Sequence, residues 1–167
     1  MRMKLPAATM FLALLTCVPP ARTAYLESDG TFLVAGESPL RVIADVDREG
    51  VRVAVSEKST LDVTLTGMLK RAQIVRTPGA VGAAGLYLAG KADVLAGVRQ
   101  QLQNVAAKNP GTRIMDGRFM VIAQGTALPQ AHAAAVGYLN AFVEDVKASG
   151  LVAQAIERHN SRATVGK

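Results

Sequence analysis

The residues best suited to holding a small ligand are Ser56, Glu57, Lys58, Ser59 and Thr60. This polar run lies between the β-branched alternation Val51, Val53, Val55 and a helical pattern that begins at Leu61. A strand that delivers its chain into a helix N-terminus aims unpaired backbone N–H groups at whatever lies in front of it, an arrangement suited to a carboxylate or another small anion. Hydroxyls at Ser59 and Thr60 equally suit a plain helix cap, and spacing alone leaves both roles open.

Other reactive side chains offer less. A serine nucleophile needs a base and an orienting acid, yet His132 and His159 both fall in helical surface patterns, so no catalytic residue is assigned. Asp45, Asp47 and Glu49 read as a solvated loop in preference to an acid–base or metal site. The single cysteine, Cys17, excludes an internal disulfide framework, and two distant histidines complete no zinc set, so no metal and no cofactor is expected. Gly79, Gly82 and Gly85 match neither a phosphate loop nor a dinucleotide fingerprint and suggest close helix packing. Asp93 either caps a turn or sits at the mouth of a cleft, with the structural role favoured.

The elements that must position these residues follow from periodicity. Thr31 to Ala35 is extended, the Gly36–Pro39 run breaks it, and residues 44–50 form a polar loop. Leu61, Leu65, Met68, Leu69 and Ala72 recur at helical spacing, with Asp62, Thr64 and Lys70 away from that stripe. Asp62 in the first turn and Lys70 with Arg71 in the last complement the helix dipole. Residues 73–76 form the next strand, and Thr77 caps a small-residue helix with Pro78 at its first position and Gly90 as its stop. A strand at 92–96, a helix at 98–108, short strands at 113–115 and 119–123 and two helices after Pro129 follow. The longer of these presents Val136, Leu139, Val143 and Val146 on one face and ends at Gly150; residues 161–167 read as a frayed tail. Strands alternating with helices predict an α/β, three-layer sandwich: a mostly parallel sheet with helices on both faces.

At 167 residues, half of them apolar, the chain is long enough for one domain with a real core. Its net charge of +6 is spread among acids with no basic stripe, and only 4% of residues are aromatic, so nucleic-acid binding is not expected. Arg2 and Lys4, the apolar run Leu5 to Val18, then Pro19, Pro20 and small residues have the layout of an export signal. That run is 14 residues long, short of the roughly 20 that span a bilayer, so export without a permanent membrane anchor is expected. Leu14, Leu15, Thr16, Cys17 has some character of a lipoprotein box, although Thr16 stands where a smaller residue is usual.

In order along the chain, several segments resemble the periplasmic solute-binding proteins of the amino-acid type, solute-binding protein family 3, with a type II periplasmic-binding fold. They are Phe32 to Val34 with Ser38 and Pro39; Asp45 to Asp47; Gly50 to Val55 with Ser59 and Thr60; Leu69 to Val75; Ala89 to Asp93; Asp116 to Arg118; and Phe142 to Val152. The resemblance implies a non-enzymatic binding component that closes on an amino acid or related small carboxylate and presents it to the membrane subunits of an ABC transporter. It implies ligand contacts at Ser59 and Thr60. It also makes Arg22 the carboxylate-binding arginine of a Thr-Pro-x-Arg-like segment, here Pro19, Pro20, Ala21, Arg22.

Three departures accompany it. Lys58 replaces a usual glycine and adds a positive charge beside the ligand loop. The acidic position that receives a ligand amino group falls near Val98, which disfavours an α-amino acid and leaves carboxylates. Most of the first lobe has no counterpart. The implied layout is residues 1–24 as export signal or first-lobe remnant, 25–50 as hinge strand and connection and 51–120 as one complete lobe. Residues 121–160 are then the return strand and C-terminal helices of an incomplete lobe, and 161–167 the tail. Helices returning to an absent lobe would expose their apolar faces. Alternatives are a dehydratase or lyase on the same fold, or a non-functional gene fragment.

Overall fold

The computed structural model describes residues 24–126, 128–159 and 163–166. Its centre is β1 (Ala24–Ala35), in which Phe32, Leu33 and Val34 are fully buried. A continuous apolar run can be hidden only where both sheet faces are covered, which places this half of β1 inside the sheet. β2 (Arg52–Ser56), β3 (Gln73–Thr77), β4 (Val94–Val98) and β5 (Thr112–Ile114) complete the order β3-β2-β4-β1-β5, while β6 (Met120–Gly125) and β7 (Thr164–Val165) also pair with β1.

The sheet is mixed, not mostly parallel. β2 runs parallel to β3 and β4, with Val53 opposite both Ile74 and Val94, whereas β1 runs antiparallel to β4, β5, β6 and β7. The strand–helix alternation holds only from β2 to β5, and β5 pairs with β1. β1 leads instead into a turn and a single 3-10 turn (Ile43–Val46), so no crossover helix sets its direction.

Three layers result. α1 (Thr60–Met68) packs Leu61 and Leu65 on one face, with Val53, Val55, Phe32 and Val94. α2 (Gly79–Leu88) and α3 (Arg99–Lys108) cover the other, bringing Ala83, Tyr87 and Leu102 to Ala54, Leu33 and Leu95. The alternation along β2, Val53 and Val55 one way and Ala54 the other, is the period-two pattern of a strand between two covered faces.

Several local expectations are corrected. α1 ends at Met68, so Lys70 and Arg71 lie beyond its last turn. Their backbone N–H groups, with that of Ala72, donate to Asp47 Oδ1 at 2.8, 2.7 and 3.1 Å. The donations from Arg71 and Ala72 are the main reason the Asp47 carboxyl lies below its ordinary pKa. Thr77 closes β3 and makes no cap; Pro78 occupies the N-cap position of α2. Of the three spaced glycines, only Gly82 has a close neighbour at its Cβ position, Thr77 Oγ1 at 2.6 Å. The described part of the tail is not frayed, because β7 pairs Val165 with Leu26 and Thr164 with Glu27.

α4 (Val136–Ala148) and α5 (Leu151–Arg158) meet at Gly150, whose φ of 77° suits glycine. The expected apolar stripe of α4 is not exposed: Val143 is buried and Val136, Leu139 and Val146 are half-buried, whereas Tyr138, Phe142 and Leu151, off that stripe, are 79%, 53% and 56% exposed. Among the described residues no helix is long and apolar enough to cross a membrane, and no cluster of acids, histidines or cysteines could hold a metal.

Candidate functional site

The parallel strands β2 and β4 deliver their C-terminal ends, Ser56 and Val98, to one edge of the sheet, where α1, α2 and α3 all begin. A cleft of about 260 Å³ opens there. Ser56, Ser59 and Thr60 form one wall and Gly97, Val98 and Gln101 another, with Ala80 of α2 and Ile122 of β6 at its sides. Three helix N-termini therefore face one small space, each carrying partial positive charge and backbone donors that lack intrahelical partners. A larger groove, about 770 Å³, lies at the opposite ends of the same strands, around Val51, Leu88 and Asp93. It gathers the C-terminal end of α2 and no helix start, so it is the poorer place for an anion.

Ser59 is the N-cap of α1. Its Oγ accepts from the Asp62 N–H at 3.1 Å and donates to the Ser56 carbonyl at 2.7 Å. The hydroxyl proton is thus committed to the fold. Both readings of this position hold in part, since a capping side chain also lines the cleft. Thr60 is exposed on the cleft wall, and its hydroxyl has no hydrogen bond among the described residues. Lys58 is exposed and does not line the cleft. Its backbone holds φ = 57°, and its N–H donates to Asp62 Oδ2 at 2.9 Å. Arg22 lies outside the described residues.

The left-handed backbone at Lys58 gives the missing glycine a physical meaning. A residue with a Cβ in that region costs about 1–2 kcal/mol, part of which glycine regains as greater freedom in the unfolded chain. Lys58→Gly is therefore expected to stabilise the protein by about 0.5–1 kcal/mol in urea unfolding. A destabilised K58G would mean that the lysine side chain makes a compensating contact.

Asp62, off the apolar stripe of the helix pattern, is nevertheless not a surface residue. It is buried at 7% exposure and ties the loop together, accepting from Lys58 N–H, from Arg76 Nε at 2.8 Å and from Thr66 Oγ1 at 3.3 Å. A signal was present: an acid three residues after a serine is capping-box spacing. Gly97, Ala80, Gln101 and Ile122 carried no signal, because their places depend on how β4, β6, α2 and α3 meet.

Asp93 makes a structural ion pair and also lines the larger groove. Its carboxylate pairs with Arg52 at 2.8 Å at the far end of the sheet, and the Arg52 side chain holds its carboxyl below the ordinary pKa. At the other end of β4, Asp29 bridges Arg99 at 3.2 Å and Arg118 at 3.1 Å, fixing the start of α3 against the turn before β6.

Neither a protein-family model nor a curated protein sequence matches the chain. Solved structures do, at low identity. A variant of ArgBP from T. maritima aligns with a TM-score of 0.67 and 22% identity over 81% of this chain and 58% of its own. A putative binding component of an ABC transporter from Wolinella succinogenes, complexed with lysine, aligns with a TM-score of 0.72 and 18% identity over 81% of this chain and 60% of its own. AncCDT-1, an ancestral amino-acid-binding protein and precursor of cyclohexadienyl dehydratase, aligns with a TM-score of 0.65 and 18% identity over 81% and 58%. The chain has the type II periplasmic-binding fold, and it spans about three-fifths of the length of these proteins.

Proposed function

We propose that a lobe of this fold, with three helix N-termini around one cleft, serves as part of a solute-binding component for amino acids or related small carboxylates. Convergence of α1, α2 and α3 on the cleft at the C-terminal ends of β2 and β4 is the observation that carries the reading. In an open α/β sheet this edge is where ligands bind. Solved structures of the same fold include an ancestral arginine-binding protein bound to arginine and an ABC-transporter binding component complexed with lysine.

In this reading Ser59 and Thr60 offer backbone and hydroxyl donors to a carboxylate, and Lys58 adds charge at the rim. Arg22, two residues before β1, supplies a bidentate partner. An exported chain would then present its solute to the membrane subunits of an ABC transporter in the periplasm. No catalytic step is assigned. A lyase of this fold would need a positioned acid or base, and no side chain of that kind among the described residues lines the cleft.

A thermal-shift panel of amino acids, small carboxylates and amines tests the proposal. A ligand at 100 times its dissociation constant adds about 2.7 kcal/mol of stability and raises the melting temperature by several degrees. No shift with any compound, on a folded and monodisperse sample, overturns it.

A further inference from the structure

The larger groove, at the ends of β2 and β4 opposite the cleft, plays no part in the solute-binding reading. We propose that it is a second binding site, for a small monocation with a hydrocarbon body such as an alkyl- or aralkylammonium, with the Glu49 carboxylate and the Tyr87 hydroxyl as its polar contacts. The turn after β1, the loop before β2, the end of α2, the entry to β4 and the first residue of β5 build it. Its volume of about 770 Å³ falls within the roughly 300–1,000 Å³ of small-molecule sites. Leu40, Val51, Leu88 and Ala92 give it apolar walls.

Tyr87 points to an occupant. It is only 9% exposed, and its ring belongs to the core cluster with Leu33, Ala54 and Leu95, yet it lines the groove. Its hydroxyl makes no hydrogen bond among the described residues, and it is not sealed from solvent. A phenol buried to this degree ordinarily has a partner, and an ammonium N–H in the groove supplies one to its oxygen.

Charge decides the class of ligand. Glu49 is exposed and lines the groove, and Asp93 adds a second carboxylate. The Arg52 guanidinium donates to Asp93 from Nε at 3.0 Å and Nη2 at 2.8 Å, and from Nη2 to the Gly90 carbonyl at 3.1 Å, so it neutralises one of the two acids. Of the other cations nearby, Arg48 pairs with Asp45, and Lys91 does not line the groove. One negative charge remains, at the end where α2 terminates and its dipole is negative. A single ammonium on an apolar body matches both that charge and the walls, whereas a carboxylate is repelled.

Isothermal titration of the full chain with three nearly isosteric probes tests this: 4-phenylbutylamine, 4-phenylbutanol and 4-phenylbutanoate. The amine should bind about tenfold more tightly than the alcohol, through the Glu49 charge and the helix dipole together, and the carboxylate should bind most weakly. Glu49→Gln should weaken the amine about fivefold and leave the alcohol unchanged. Tyr87→Phe, which keeps the buried ring, should weaken amine and alcohol alike by about fivefold. Leu88→Arg, at an exposed position, fills the groove with a like charge and should abolish amine binding. Equal affinity for amine and alcohol, or binding of no probe, overturns the proposal. So does amine binding that survives E49Q and L88R unchanged, or that is lost on Thr60→Ala, because Thr60 lies in the cleft at the other end of the strands. Failure on any of these counts leaves the solute-binding reading to its own test.

Discussion

Replacing Phe32 with alanine is expected to lower stability by about 3–5 kcal/mol, the largest effect of any single change considered. The side chain is fully buried at the middle of β1 and stacks on Phe119 with ring centroids 4.7 Å apart and planes 27° from parallel. Around it lie Val53, Leu61, Leu65, Val94 and Met115, contributed by β2, α1, β4 and the segment after β5. Truncation removes buried transfer energy, leaves a cavity that four separate elements would have to close, and forfeits an aromatic pair contributing about 0.5–1.5 kcal/mol. A domain of this size has about 5–15 kcal/mol in total. F32A should therefore unfold at markedly lower urea with an unchanged m-value, and Phe32→Leu should retain most of the stability. A loss under about 1 kcal/mol would show that this cluster is not the core.

Replacing Asp62 with alanine comes second, at about 2 kcal/mol, and it bears on the site as well as on stability. Two N–H donors, those of Lys58 and Arg76, and the hydroxyl of Thr66 lose their shared acceptor. Arg76 is partly exposed and recovers hydration, which keeps the loss below the 3–5 kcal/mol of a fully buried pair. The Lys58 N–H is the more consequential partner. Without it nothing among the described contacts holds the left-handed residue, and the wall from Ser56 to Thr60 loosens. D62A should thus lose stability and weaken any solute binding together. D62N, which keeps an oxygen for the Lys58 N–H but not the ion pair, should fall between. Equal stability of D62A and wild type in urea unfolding would show that the ion pair and the cap are both solvated equivalents.

Both effects trace to positions with unequal visibility in the sequence. Phe32, Leu33 and Val34 were readable as extended, and their lack of alternation is what a strand covered on both faces must show. The partners of β1 were not readable. Its length of 12 residues became visible only through pairing, because Ala24 to Gly30 carry no strand pattern and are held by β6 and β7. Periodicity sets Asp62 away from the apolar stripe because it weighs a charged residue as polar. It cannot register that Arg76 comes from the next strand to meet it.

The sequence by itself determined the strand–loop–helix unit from Val51 to Met68 and much of the order of α and β elements. These depend on local spacing and on residue types. Tertiary structure alone decided that three helices start at one cleft, that Ser59 spends its hydroxyl on the fold, and that Lys58 stands at a backbone angle suited to glycine. It also decided that none of the 13 acids reaches that cleft. The physical reasons differ: the Ser59 and Lys58 findings are local backbone geometry, settled within three or four residues, that residue type alone does not specify. The cleft and its lining depend on where segments far apart in the chain are brought together by burying Phe32, Leu65, Val53 and Val94, and side-chain periodicity carries no record of such distances.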